Sequence, residues 1–167
     1  MTPGLSIRFA TQQDLSLVEQ LAQQIWPVTY KDILSPDQLA YMMNLIYSPA
    51  ALERQFTQEK QHFLIAELDS NPVGFASFSR QENPGVYKLH KIYVHPSTQG
   101  KGLGKSIIDF ITQYLKNEKA TTLLLNVNRY NKAKSFYEKL GFTVIGEEDI
   151  DIGSNYFMND YVMKLEL

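Results

Sequence analysis

The stretch Tyr93-Val94-His95-Pro96-Ser97-Thr98-Gln99-Gly100-Lys101-Gly102-Leu103-Gly104-Lys105-Ser106 constrains this chain more than any other. It joins a β-rich run, Val86 to Val94, to an amphipathic one in which Leu103, Ile107, Ile108, Ile111 and Leu115 recur at helical spacing. Gly100, Gly102 and Gly104 let backbone N–H groups turn inward, and the start of a helix adds partial positive charge. A strand, a glycine turn and a helix N-terminus in that order predict a cradle for a phosphate-type anion. The plainer alternative is a tight connection, which needs fewer glycines. Two familiar phosphate loops do not fit. The nucleoside-triphosphate loop G-x-x-x-x-G-K-[ST] ends well at Gly104-Lys105-Ser106 but has Gln99 in place of its first glycine. The dinucleotide pattern G-x-G-x-x-G begins at Gly100 and Gly102 and fails at Lys105.

The rest of the chain alternates short strands and helices, which predicts a mixed α/β or α+β fold. Its 167 residues, with no linker-like stretch or repeat, predict a single domain over 1–167 with a real core. A strand is expected at Ser6 to Ala10. Thr11 then caps a helix carrying Leu15, Val18, Leu21, Ala22 and Ile25, which Pro27 is expected to end. Ser35-Pro36 and Ser48-Pro49 are two further helix starts, each a capping hydroxyl before a first-turn proline. Phe63 to Leu68 and Val73 to Ser79 flank Asp69-Ser70-Asn71-Pro72 as a hairpin. Thr121 to Val127 is a buried-type strand, Lys132 to Leu140 a helix closed by Gly141, and Phe142 to Ile145 and Tyr156 to Leu165 are the last strands.

Composition narrows the function. With 16 basic against 18 acidic side chains the net charge is −2, so nucleic acid is not expected as a partner. There is no Cys, hence no disulfide, thiolate metal site or cysteine nucleophile, and no metal is expected. No apolar run reaches membrane-helix length and no signal segment is evident, which predicts a cytoplasmic protein with no membrane partner.

A second motif lies downstream: Asn131-Lys132-Ala133-Lys134-Ser135-Phe136-Tyr137-Glu138-Lys139-Leu140-Gly141-Phe142. Gln99-Gly100-Lys101-Gly102-Leu103-Gly104 followed by this stretch resembles the two signatures of the GNAT superfamily of N-acetyltransferases, Gln/Arg-x-x-Gly-x-Gly/Ala and N-x-x-A-x-x-x-Y-x-x-x-G-F. The segment Trp26 to Tyr47 looks most similar to the polyamine-acetylating and uncharacterised small-amine bacterial branch. The resemblance implies an α+β fold: a central, mostly antiparallel, twisted sheet of about seven strands with helices on both faces, splayed between Val86–Val94 and Thr121–Val127. Acetyl-CoA, the acetyl donor, would wedge into the gap. Backbone groups of Ile92, Tyr93 and Val94 would pair with its pantetheine, and those of Gly100, Lys101, Gly102, Leu103, Gly104 and Lys105 would hold its diphosphate, with Gln99 leading the motif and Asn131 opening the second signature. Lys101 and Lys105 would add charge there, or are solvated lysines.

By the same resemblance Tyr137 stands near the cofactor sulfur as general acid; the alternative is a packing tyrosine. Direct attack without an acyl-enzyme agrees with the lack of Cys. A primary amine with a pKa of about 10 must lose a proton, and His90 is the side-chain candidate for base. On a regular strand it shares a face with Lys88, Ile92 and Val94, though it could instead be hydrogen-bonded in the sheet. Acceptor selection is expected from Trp26 to Tyr47 and from Glu147 to Asp160, with Trp26, Tyr30, Tyr156 and Phe157 near the acceptor, beside the acidic run Glu147, Glu148, Asp149 and Asp151, which either draws in a cationic amine or is solvated loop charge. The expected function is acetylation of a small-molecule amine or polyamine. A non-catalytic acyl-CoA-binding regulatory module, a protein or peptide N-acetyltransferase and a nucleoside-triphosphate phosphotransferase are the alternatives, and a homodimer is left open.

Overall fold

A computed structural model describes residues 2–167. The elements run β1 (Leu5–Phe9), α1 (Leu15–Thr29), α2 (Pro36–Tyr47), α3 (Pro49–Thr57), β2 (His62–Leu68), β3 (Asn71–Arg80), β4 (Val86–Val94), α4 (Leu103–Asn117), β5 (Thr122–Asn128), α5 (Ala133–Lys139), β6 (Thr143–Gly153) and β7 (Tyr156–Glu166). The seven strands form one sheet in the order β1-β2-β3-β4-β5-β7-β6. Only β4 and β5 pair in parallel; all other neighbours are antiparallel.

Each helix pins one apolar stripe to a sheet face. On one side Leu103, Ile107, Ile108, Ile111 and Leu115 of α4, with Tyr137 of α5, pack on Ala76, Phe78, Leu89, Leu123, Leu125 and Met163. On the other, Val18, Leu21, Ala22, Ile25 and Trp26 of α1, Met42 and Tyr47 of α2 and Leu52 of α3 cover Phe63, Ile65 and Phe75. The expected serine caps form: Ser35 Oγ accepts from the Gln38 amide at 3.1 Å and Ser48 Oγ from the Ala51 amide at 3.2 Å. Before α1, Asp14 accepts from the Thr11 amide at 2.7 Å, as a capping acid does.

Three boundaries differ from the sequence reading. Helix α1 does not stop at Pro27 but continues to Thr29. Proline's φ suits a helix, and the carbonyl it leaves unbonded belongs to Gln23, which lies with Pro27 on the exposed side where water can serve it. The β2–β3 turn is tighter than four residues: Asp69 and Ser70, with φ of 50° and 67°, close it as a two-residue loop. The strand expected to end at Ile145 continues as β6 to Gly153, so Glu147 to Asp151 lie on a strand rather than in a loop. An edge strand facing water shows acids where an apolar alternation was sought.

Ile111 has no solvent exposure and sits at the centre of the α4 stripe. Ile111→Ala is expected to lower the free energy of unfolding by about 2–5 kcal/mol, read as a lower urea midpoint at unchanged slope.

Candidate active site

The site begins where two strands stop pairing. The β4–β5 ladder matches Val86 with Thr122 through Leu89 with Leu125 and ends there. Beyond it, the edge of β4 that faces β5 has no strand partner. At the same level β4 carries an extra residue: Ser77 of β3 faces Lys91 and Phe78 faces Leu89, which leaves His90 as a bulge. A cavity of about 790 Å³ opens at this point, within the usual size for a small-ligand site. Its wall runs from Gln99, Gly100 and Gly102 to Gly104, past β4 and β5, to Trp26, Tyr30 and Met42 under α1 and α2.

The glycine turn has the form an anion requires. Gly100 and Gly102 have φ of +82° and +74°, and no atom lies within 4 Å of where a Cβ would stand on either. Among the described residues, the backbone N–H groups of Gly100, Lys101, Gly102, Leu103, Gly104 and Lys105 donate to no protein acceptor. Six successive free donors at the N-terminus of a fifteen-residue helix are a fitting seat for a diphosphate. Gly104 meets Phe136 instead, 3.2 Å from its would-be Cβ, which lets α4 approach α5.

The family described as "Acetyltransferase (GNAT) domain" matches residues 30–164. The chain belongs to that family. An uncharacterized N-acetyltransferase of Mycobacterium tuberculosis is 27% identical over 155 residues, covering 92% of this chain and 98% of the relative. The spermidine N(1)-acetyltransferase of Thermoplasma acidophilum is 28% identical over 160 residues, covering 93% and 96%. Among solved structures, the PaiA N-acetyltransferase of Thermoplasma acidophilum in complex with coenzyme A superposes with a TM-score of 0.79 at 26% identity, covering 98% of this chain and 99% of that one. This chain is therefore a GNAT N-acetyltransferase with acetyl-CoA as donor.

In this acetyltransferase the cavity gathers most of the residues the sequence singled out. Ile92, Tyr93, Val94, Gln99, Gly100, Gly102, Leu103, Gly104, Lys105, Asn131, Tyr137, His90, Trp26, Tyr30 and Phe157 all line it. Lys101 and Tyr156 do not. Tyr156 packs instead against Tyr41, with the rings tilted and their centroids 5.3 Å apart. Lys105 is engaged on the surface with Asp109 at 2.8 Å. Asn131 caps α5, its Oδ1 accepting from the Ala133 amide at 2.9 Å.

Tyr137 is buried on α5, edge-on to Phe136 and Phe142, and burial pushes its phenol well above the usual value. Its hydroxyl bonds to no protein group among the described residues. Tyr30 and Tyr93 share a hydrogen bond of 2.8 Å across the cavity, and Trp26 packs on both rings.

The bulge corrects the expected alignment of β4. Ile92 and Val94 pack on the α4 side, while Tyr93 belongs to the α1–α3 side. His90 turns to the α1–α3 side too, its Nε2 2.7 Å from Ser79 Oγ, so it does not share a face with Ile92 and Val94. His90 is exposed at the bulge and also lines the cavity. Burial, then Lys91 and Lys88, hold its pKa down at about 3, which keeps the imidazole neutral.

The acidic run is largely spoken for. Arg129 bonds Glu147 at 3.2 Å and also Asp149, and Asp151 accepts from the Gly153 amide at 2.9 Å.

Two cavity residues carry no individual signal in the sequence, although Asp160 closes the Glu147 to Asp160 region expected to select the acceptor. Asp160 is a buried acid inside an otherwise ordinary strand. Lys91 is 5% exposed, donates to Gln61 Oε1 at 3.1 Å and lies 5.3 Å from the centre of the Phe63 ring. Burial lowers its pKa to about 7. In the unfolded chain a lysine titrates near 10.5. Between these values the unfolded state holds more protons, so the folded state gains stability from this site as pH rises from 7 to 10 and lacks it below 7. Lys91→Met is therefore expected to stabilise the protein most at pH 6, with the advantage over wild type shrinking toward pH 10 in urea denaturation.

Proposed function

We propose that the chain, acting as a single cytoplasmic domain, acetylates a primary amine on a small molecule or polyamine by direct attack on acetyl-CoA, with Tyr137 as general acid. The observation that carries this reading is one continuous cavity. It joins free amide donors at one end, parted strands in the middle and an aromatic, acid-containing chamber at the other. Similarity to a spermidine N(1)-acetyltransferase supports the amine class.

The donor's diphosphate sits on the amides of Gly100 to Lys105 and its pantetheine lies along the free edge of Ile92 to Val94. This directs the thioester toward the parting at His90 and Asn126. The amine nitrogen attacks the thioester carbonyl, the C–S bond breaks, and the thiolate takes a proton. Tyr137 is suited to supply it: a phenol held neutral by burial donates to a thiolate whose conjugate acid has a pKa of about 8.5, and is restored by the proton the attacking nitrogen sheds. Acetylating an ammonium releases one further proton. With its pKa held at about 3, His90 is too weak a base to take that proton from an alkylammonium, so the proton leaves to solvent, and His90, hydrogen-bonded to Ser79, serves to hold the bulge.

Two variants separate binding from chemistry. Gly102→Asp puts a carboxylate against the donor's diphosphate in a left-handed backbone position. The affinity for acetyl-CoA is expected to fall on the order of 100-fold by calorimetry; wild-type affinity would move the cradle elsewhere. Tyr137→Phe is expected to keep donor affinity while kcat falls on the order of 100-fold. Unchanged turnover would leave Tyr137 as packing. An acceptor screen read by free CoA tests the whole reading. CoA release with polyamines or amino-sugars supports it, release with peptide amines alone redirects it to proteins, and donor binding without any release makes the chain an acyl-CoA sensor.

A further inference from the structure

Asp160 is 2% exposed, on β7, and lines the cavity on the face covered by α1 and α2. One of its oxygens, Oδ2, accepts from Asn126 Nδ2 at 3.3 Å. The other, Oδ1, accepts from no protein donor among the described residues, and it is not among the buried polar atoms sealed away from the cavity. No Lys, Arg or His nitrogen of the described residues lies within 4 Å of the carboxylate. The Asn126 amide is shared, since its Nδ2 also donates at 3.3 Å to Glu148, the cross-strand partner of Asp160 at the exposed rim.

A carboxylate buried with one long hydrogen bond is costly to ionise, and burial raises the pKa of Asp160. The charged and titratable groups around it are Lys88 on β4, Arg129 after β5, Glu148 on β6 and Tyr30 at the end of α1, with the neutral amide of Asn126 on β5 as its hydrogen-bond partner. Lys88 and Arg129 favour its charge from a distance; Glu148 opposes it. What the arrangement lacks is a contact cation. Met158, Ile150 and Tyr30 wall the same end of the cavity, so a cation entering there exchanges water for apolar surface, an aromatic ring and one free carboxylate oxygen.

We infer that Asp160, held by Asn126, is the binding carboxylate for an ammonium group of the acceptor, so that the acceptor enters as a cationic alkyl amine. This deepens the acetyl-transfer reading by naming the chemical class the acceptor end selects. It assigns the task to a buried residue rather than to the acidic run on β6, whose Glu147 and Asp149 are held by Arg129.

The test uses two probes on the coenzyme A-loaded protein at pH 7: 1,4-diaminobutane, and an O-alkyl hydroxylamine of matching length, which is uncharged at that pH. Asp160→Asn keeps the shape and can still accept from Asn126. Calorimetry is expected to show at least a tenfold loss of diamine affinity in this variant, with hydroxylamine binding within twofold and coenzyme A affinity unchanged. Equal loss for both probes, or no loss for the diamine, overturns the inference. A second measurement needs no variant. The Asp160 carboxyl, followed by carbon-13 NMR in the wild type, is expected to titrate at lower pH when the diamine is bound, and an unmoved titration overturns it. Failures of the two readings are distinct. Diamine bound through Asp160 with no CoA released from acetyl-CoA would remove the transfer reaction and leave this subsite. CoA released equally fast by wild type and Asp160→Asn would remove the subsite and leave the transfer.

Discussion

Two parallel strands that pair for four residues and then separate create an obligation. Backbone N–H and C=O groups on the exposed flank of β4 point into a cavity whose walls are largely apolar, and such groups carry a cost of a few kcal/mol unless something bonds them. The rest of the site follows from that gap. The bulge at His90 keeps β4 bonded to β3 while turning it away from β5. Antiparallel β7 holds the far side of β5 along its whole length, so the sheet opens along one seam only. An extended, amide-bearing ligand restores the missing ladder, and the pantetheine arm of acetyl-CoA is such a ligand.

The position of α4 follows from the same seam. A parallel β4–β5 pair requires a crossover, and α4 supplies it, packing five aliphatic side chains on the sheet. Its N-terminus then necessarily lies near the end of β4, where the strands part. The positive φ at Gly100 and Gly102 frees six consecutive amides at the place where the crossover turns back. In the proposed placement of the donor, grip on the phosphates and cleft for the pantetheine are thus two consequences of one connection.

This explains which parts were legible in the sequence. The glycine turn, the amphipathic α4, the serine–proline caps and the Tyr137 helix are local patterns, in which residue type and spacing state the geometry directly. The bulge at His90 is not local. Whether a strand slips by one residue depends on its partner, and β4 alternates acceptably in either register. The full length of β6 is not legible because an acidic, solvent-facing edge lacks the apolar period that marks strands. Asp160 and Lys91 were silent for a related reason: each is one charged residue in a β-rich run, and only the folded sheet reveals that both are buried.

The electrostatics of the cavity run from one end to the other. At the donor end, free amides and the positive pole of α4 favour a polyanion. Around the seam Tyr137 is neutral by a raised pKa and His90 by a lowered one, so neither competes for charge with the reacting atoms, while Lys88 on β4 adds positive charge to the wall. At the acceptor end, in the reading given to Asp160, a carboxylate favours a cation. A chamber arranged this way discourages reversed binding, since an amine at the cradle meets like charge and a phosphate near Asp160 does too. In the same reading the acceptor would arrive with a proton that the field of Asp160 favours, and would have to lose it before attacking the thioester. The same desolvation that makes Asp160 costly to ionise alone makes its attraction for a cation stronger than it would be at the surface. In that reading, selection of the acceptor draws on the desolvation of one carboxylate, Asp160, at the far end of the cavity from the amides of the glycine turn.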